Sequence, residues 1–463
     1  MRQGKRIAVV ATTALVVASL ALPAGSGGAA TPSQANAKCP VKALAKADTP
    51  VEIEFWTATN AANSEALDRL TAQFNSSQSD VNVTIVNQTT YEDALTKYIA
   101  GLQTGDLPDL VMIEDTGLQQ MIDTQSVLPV EACVKADKYD LSDHVERVIN
   151  YYTVDGTLWP MPFNVSNPVF LYNKLAFEKA GLDPEDPPET LDEVKAASQT
   201  IVDEGVTKAG FSLKLDPWYL EQWLAKAGKP YVNNGNGRQS RATATSFDVK
   251  AGVEIFTFMQ DMVDSGLAVT NDAENFDNLF AIGEDNAAMT IDTSASLGSI
   301  VDVLGSGQYP NVEIGVAPMP GPTGKGGVLV GGAALYMSNK SSAAEKAATW
   351  EYLKFLNTPE TQADWGASTG YVPIRESSTD LPAIQDRWAE IPGFKVAYDQ
   401  LLTGVENTAT AGPVIGDYQG VRDSVLDAIE GMLTQGTKPK AALKTAKSSA
   451  GTRIQEYNSR VGA

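Results

Sequence analysis

Val51-Glu52-Ile53-Glu54-Phe55-Trp56 alternates apolar and polar residues with period two, the pattern of a half-buried strand. After it, Ala66, Leu67, Leu70 and Phe74 recur at helical spacing within residues 63–74. Val81 to Val86 alternates again, and Thr90 with Asp93 makes a capping-box-like start for a helix through Leu102. Leu110 to Ile113 is a short apolar run bounded by Pro108 and by Glu114-Asp115. The order β-α-β-α-β predicts an α/β layer on a largely parallel sheet.

The same grammar returns further along. Pro168 to Tyr172 reads as a strand, and Thr190 with Glu193 starts a helix after a proline-rich loop. Ala287 to Ile291 and Val328 to Met337 are strand-like. Ser342 with Glu345 caps a helix through Leu356, and Thr358-Pro359 begins the next, with proline at its first position. The final third is mostly helical. The expectation is a two-lobed α/β protein.

Arg2, Lys5 and Arg6 precede an apolar run from Ile7 to Leu22 and a small-residue tail ending at Ala30, with a second small-x-small site at Ala35-Asn36-Ala37. This is the pattern of a signal peptide over residues 1–30, cleaved after Ala30 or Ala37. It predicts a secreted, periplasmic or otherwise extracytoplasmic protein. Residues 31–50 read as an N-terminal extension. The chain has two cysteines, Cys39 and Cys133. Lys38 spoils a lipid-attachment pattern at Cys39, and an oxidising compartment favours a disulfide; two free thiols are the alternative.

The formal charge of −22 over 463 residues argues against nucleic acid and anionic membrane surfaces, which need basic patches. The single histidine, His144, lies in a polar stretch and reads as a surface residue. There is no zinc spacing, P-loop, GxGxxG after a strand or GxSxG elbow, so no catalytic residue, metal or cofactor is expected. Carboxylates are plentiful, which leaves a secreted glycan hydrolase as the rival class.

Several segments, in order along nearly the whole chain after the leader, resemble the extracellular solute-binding protein family of ABC importers, which includes maltose-binding and glycerol-3-phosphate-binding proteins. They are Phe55-Trp56, Gly105 to Leu110, Pro162 to Lys174 continuing through Ala180-Gly181-Leu182-Asp183-Pro184, Ala288-Met289-Thr290, Gly331-Gly332-Ala333, and Trp365 to Ile374. Phe163 to Pro184 and Thr369 to Ile374 are most similar to the glycerol-3-phosphate and glycerophosphodiester binders.

The resemblance implies a type II periplasmic-binding-protein fold with discontinuous lobes, 51–163 with 289–332 and 164–288 with 333–463. Crossings would fall near Phe163, Met289 and Gly332, with a hinge that closes on the ligand. It implies a small polar solute, glycerol phosphate or a sugar, a monomer, and membrane permease subunits as partners. It carries ligand contacts onto Tyr91, Glu114, Ser166, Trp218, Thr293, Ser294, Gly332, Tyr371 and Arg422. The family pattern has two tryptophans around the ligand in the second lobe; here only Trp218 is carried over.

The residues have their own chemistry. Trp56-Thr57, Gln88 to Tyr91 and Glu114 each follow a strand, where ligands of open α/β sheets bind. Glu114 either accepts hydrogen bonds from hydroxyls or caps the helix that begins near Gly117. Arg422 opens an apolar helical stripe with Leu426, Ile429 and Leu433, so its charge needs an anion, a ligand phosphate or a protein carboxylate. Tyr371 and Trp218 offer aromatic faces, and Gly332 permits a close backbone approach.

Overall fold

The computed structural model describes residues 37–272 and 276–463. The expected leader over 1–30 lies outside them.

The first sheet contains β1 (Val51–Thr57), β2 (Val81–Asn87), β3 (Leu110–Glu114), the short β4 (Val127–Leu128) and, after a small hairpin of β5 (Thr153–Val154) and β6 (Thr157–Leu158), β7 (Met161–Ser166). The second contains β8 (Pro168–Asn173), β9 (Phe211–Leu215), β10 (Ala268–Asp272), β11 (Met289–Thr293) and β12 (Ile314–Pro318). The chain then returns to the first sheet as β13 (Gly331–Ser338). The strand orders are β2-β1-β3-β13-β4, with β7 also beside β13, and β10-β9-β11-β8-β12.

Each sheet has a parallel trio, β2-β1-β3 and β10-β9-β11. Each is completed by antiparallel strands, β13 on β3 and β8 on β11. The expected largely parallel sheet is therefore a mixed one in both places. The strands that make it mixed are those next to the crossings, which enter from the opposite direction.

Each sheet has its own apolar core. Phe55, Leu67, Met112, Trp350, Tyr352 and Trp365 belong to the first; Phe170, Trp223, Phe256, Ile291, Val425 and Ile429 belong to the second. The expected lobe assignment is corrected on three counts. Residues 333–338 of β13, expected in the second lobe, pair with β3, β4 and β7 in the first sheet. β11 and β12, expected in the first lobe, pair with β8 in the second sheet. The helices Ala343–Leu356 and Pro359–Thr369, expected in the second lobe, fill the first core, and only Tyr418–Gln435 and Pro439–Val461 pack on the second. The reason is hydrogen-bond satisfaction: a buried five-residue strand must pair along its whole length, and β11 does so against Pro168–Tyr172.

The first crossing is a single residue. β7 ends at Ser166 and β8 begins at Pro168. Asn167 between them is fully buried, donating to the Ala397 carbonyl at 2.8 Å and accepting from Gln400 at 2.8 Å.

Local signals hold where they were read. Thr190/Glu193 and Ser342/Glu345 are reciprocal capping boxes, and Thr358 caps a helix with Pro359 in its first turn. Cys39 and Cys133 are disulfide-bonded, tying the N-terminal extension to the helix Val130–Asp137. His144 corrects the expectation of a surface residue. It is 3% exposed, edge-on to Tyr139, with neither ring nitrogen hydrogen-bonded. Burial, with Arg375 nearby, lowers its pKa to about 4, so it stays neutral.

Candidate functional site

The C-terminal ends of the two parallel trios face one cleft. From the first sheet come Glu114, the last residue of β3, and Tyr91, the first residue of the helix Tyr91–Thr104. From the second come Lys214 on β9, Asp292 and Thr293 on β11, and Trp218 at the start of the helix Trp218–Lys226. Ser166 at the first crossing and Gly332 at the start of β13 form the floor, and Tyr371 and Arg422 complete it. Of the nine residues the sequence proposed, the fold thus brings all but Ser294 to this cavity. Ser294 is fully buried behind it, its hydroxyl without a hydrogen-bond partner.

Tyr371 stacks on Trp365 with centroids 5.3 Å apart, and Trp365 stacks in turn on Phe163. The ring is thereby fixed from behind. Its hydroxyl lies 3.2 Å from that of Tyr91, which also accepts from Asn164 Nδ2 at 2.8 Å. Burial raises both phenol pKa values, so both hydroxyls remain protonated donors.

Gly332 has φ +89°, and a Cβ there would overlap the Asn164 carbonyl oxygen of β7. The close approach that requires glycine is thus between β13 and β7. Gly332→Ala is expected to cost about 2–4 kcal/mol, from left-handed strain and overpacking together. Chemical denaturation checks this, and an unchanged midpoint would overturn it.

Arg422 reaches carboxylates of both lobes. Its Nε and Nη2 donate to Glu221 Oε1 and Oε2 at 2.8 and 2.9 Å, and its Nη1 donates to Glu114 Oε1 at 3.1 Å. Protein carboxylates therefore hold the guanidinium, one from each lobe. Glu221 is 2% exposed and was not foreseen. The rule that singled out Arg422 would have found it: a charge among Tyr219, Leu220, Trp223 and Leu224 on a buried helix. Glu114 also accepts from the Thr116 hydroxyl at 2.8 Å, so it serves the turn as well as the cleft.

Sequence reasoning also missed Asp115, Lys214, Asp216 and Asp292, all in the cavity wall. Asp115 accepts from the Tyr151 hydroxyl at 2.7 Å. Burial, then repulsion from Glu114, raises its pKa to about 8. Because the folded value lies above the unfolded value of about 3.9, the stability tied to its neutral form is complete below about pH 4 and is lost as pH rises to about 8. Asp115→Asn is expected to flatten the decline of Tm between pH 5 and pH 8. Parallel curves for the two proteins would overturn that.

Carboxyls outnumber cations here. Glu114, Asp115, Asp216, Glu221 and Asp292 stand against Arg422 and Lys214. Among the described residues no cluster could hold a metal ion, and no helix is long and apolar enough to cross a membrane.

Comparison with known proteins places this geometry. A family model described as bacterial extracellular solute-binding protein matches residues 69–393. The sn-glycerol-3-phosphate-binding periplasmic protein UgpB of Salmonella typhimurium is 30% identical over 404 residues, covering 85% of this chain and 90% of that protein. Its counterpart from Pectobacterium atrosepticum is 29% identical over 412 residues, covering 87% and 91%. Among solved structures, the cyclic alpha-maltosyl-1,6-maltose binding protein of Arthrobacter globiformis aligns at TM-score 0.71 with 25% identity, covering 88% of this chain and all of that one. UgpB from Mycobacterium tuberculosis in complex with glycerophosphocholine aligns at TM-score 0.71 with 21% identity, covering 89% of this chain and 100% of the other.

Proposed function

This chain belongs to the bacterial extracellular solute-binding protein family, the receptors of ABC importers, and we propose that the solute it captures is a glycerophosphodiester. It binds without transforming its ligand, and hands it to membrane permease subunits as a secreted monomer.

One observation carries the choice of a diester: the single guanidinium of the cleft is held by Glu114 and Glu221 within a carboxylate-rich wall. A dianionic monoester would face net negative charge. A diester carries one negative charge, and its hydroxyls can donate to the carboxylates. Relatives named as glycerol-3-phosphate binders support the glycerol phosphate moiety. Contacts drawn from both lobes favour a closed state over an open one, so ligand shifts that equilibrium by its differential affinity.

A second reading, a neutral oligosaccharide, is favoured by the same engagement of Arg422 and by the sugar-binding neighbours. Calorimetric titration of the ligand-stripped protein with glycerophosphocholine, glycerol 3-phosphate and maltose separates them. Tightest binding of the diester is the expected result. Binding of maltose alone would discard the phosphate reading, and preference for the monoester would discard the diester.

A further inference from the structure

Among the described residues two cations line the cleft, and only Arg422 is hydrogen-bonded. Arg422 makes three carboxylate hydrogen bonds. Lys214 makes none: its one ion-pair partner among the described residues is Asp292 Oδ1, 3.8 Å from Nζ. Asp292 is already satisfied without it. Its Oδ2 accepts from Asn278 Nδ2 at 2.8 Å, and its Oδ1 accepts from the Thr293 N–H at 2.7 Å. The Lys214 side chain is 17% exposed and its ammonium stays solvent-accessible, so its three N–H bonds are free to meet an acceptor in the cavities.

The position of Lys214 is equally particular. A second cavity adjoins the first and shares with it Tyr91, Lys214, Asp292, Thr293, Ala295 and Tyr371. Beyond that shared wall it is polar on the first-lobe side, with Asn60, Asn63, Thr89 and Thr90, and it meets the exposed ring of Phe276 on the other. The inner cavity is about 180 Å³ and the outer about 300 Å³. Small-molecule sites usually run from about 300 to 1,000 Å³, so the inner cavity by itself is small.

We propose that Lys214, at the junction of the two cavities, is the residue that receives the ligand's phosphate, with one ester arm of a phosphodiester in each cavity. This rests on the phosphodiester reading above and assigns the anion site within it. A diester phosphate has two substituents leaving phosphorus in different directions and one negative charge. A two-chambered groove with one unsaturated ammonium at its waist matches both features. A monoester would fill one chamber and set its second charge against Asp292 and Asp216. Lys214 is thus a specificity-determining residue, and the glycerol arm is left to Glu114, Ser166 and the Gly332 floor.

The test is titration of the wild-type protein, Lys214→Met and Lys214→Arg with glycerophosphocholine, glycerol 3-phosphate and maltose, with Tm measured for each. Lys214→Met is expected to weaken diester binding about ten- to a hundredfold, the range for loss of a charged hydrogen bond. Lys214→Arg should restore most of it. The wild-type affinity should fall with added sodium chloride, and Lys214→Met should lose that salt dependence while still unfolding in a single cooperative transition. If Lys214→Met binds the diester like the wild type, the phosphate sits elsewhere and this inference fails while the phosphodiester reading stands. If the wild type binds no phosphate compound, the reading itself fails. If it binds the monoester as tightly as the diester, the two-chamber assignment is overturned.

Discussion

Arg422→Ala is expected to destabilise the protein by about 3–5 kcal/mol, because it strands the Glu221 carboxylate in a site only 2% exposed. The cost lies in the partner left behind more than in the contact removed. The double variant Arg422→Met with Glu221→Leu should therefore recover most of the stability, since a buried ion pair is roughly matched by apolar groups of similar volume. The same pair separates stability from function. Arg422 also reaches Glu114 across the cleft, so it ties the two sheets together in this conformation. The double variant is expected to fold and to bind ligand with altered affinity. Denaturant titration of the two single variants and the double gives the coupling directly. A double variant no more stable than Arg422→Ala would show that the stranded carboxylate is not the main source of the loss.

Replacing both cysteines by serine is expected to cost about 4–5 kcal/mol. The disulfide spans 94 residues of sequence, and the chain-entropy model assigns that much to restriction of the unfolded state over such a loop. At about 2.1 cal/mol/K of unfolding entropy per residue, a cooperative unit on the order of 430 residues would lose about 5 °C in Tm, and one lobe unfolding alone about twice that. Cys39 and Cys133 are 7% and 0% exposed, so reductant should act slowly on the folded protein and fully only on the unfolded one. Calorimetry with and without reductant, beside the double serine variant, checks both statements. An unchanged Tm would overturn the first.

Much of the fold is written locally. The strands at Val51, Val81 and Leu110 announce themselves by period two or by a bounded apolar run, and all three occur. The capping boxes at Thr190 and Ser342 place helix starts because the reciprocal hydrogen bonds form within four residues. Of the site, the strand-end rule pointed to Glu114, and the cost of a charge on an apolar stripe pointed to Arg422. Family resemblance supplied Tyr91, Ser166, Trp218, Thr293, Gly332 and Tyr371, which line the same cavity.

What local pattern could not carry is partnership. Arg422 is 201 residues from Glu221 and 308 from Glu114, and no period in the sequence relates them. His144 looked exposed because its neighbours in sequence are polar, yet it is buried beside Tyr139 and Arg375. β11 could not be assigned to a sheet from its own residues, since its backbone groups are satisfied equally well by any strand offered to them. Lys214 gave no sign at all: one lysine at the end of a strand is ordinary until the cavities on either side are known.

By itself, then, the sequence determined the kinds of element, their order and their caps, because these depend on contacts within a turn or two of backbone. Only the tertiary structure decided which sheet each strand joins, which carboxylates hold Arg422, and that Lys214 stands between two cavities with no hydrogen bond from its ammonium among the described residues. Those outcomes depend on which distant groups are brought within about 3–4 Å, where hydrogen bonding and desolvation set the energy.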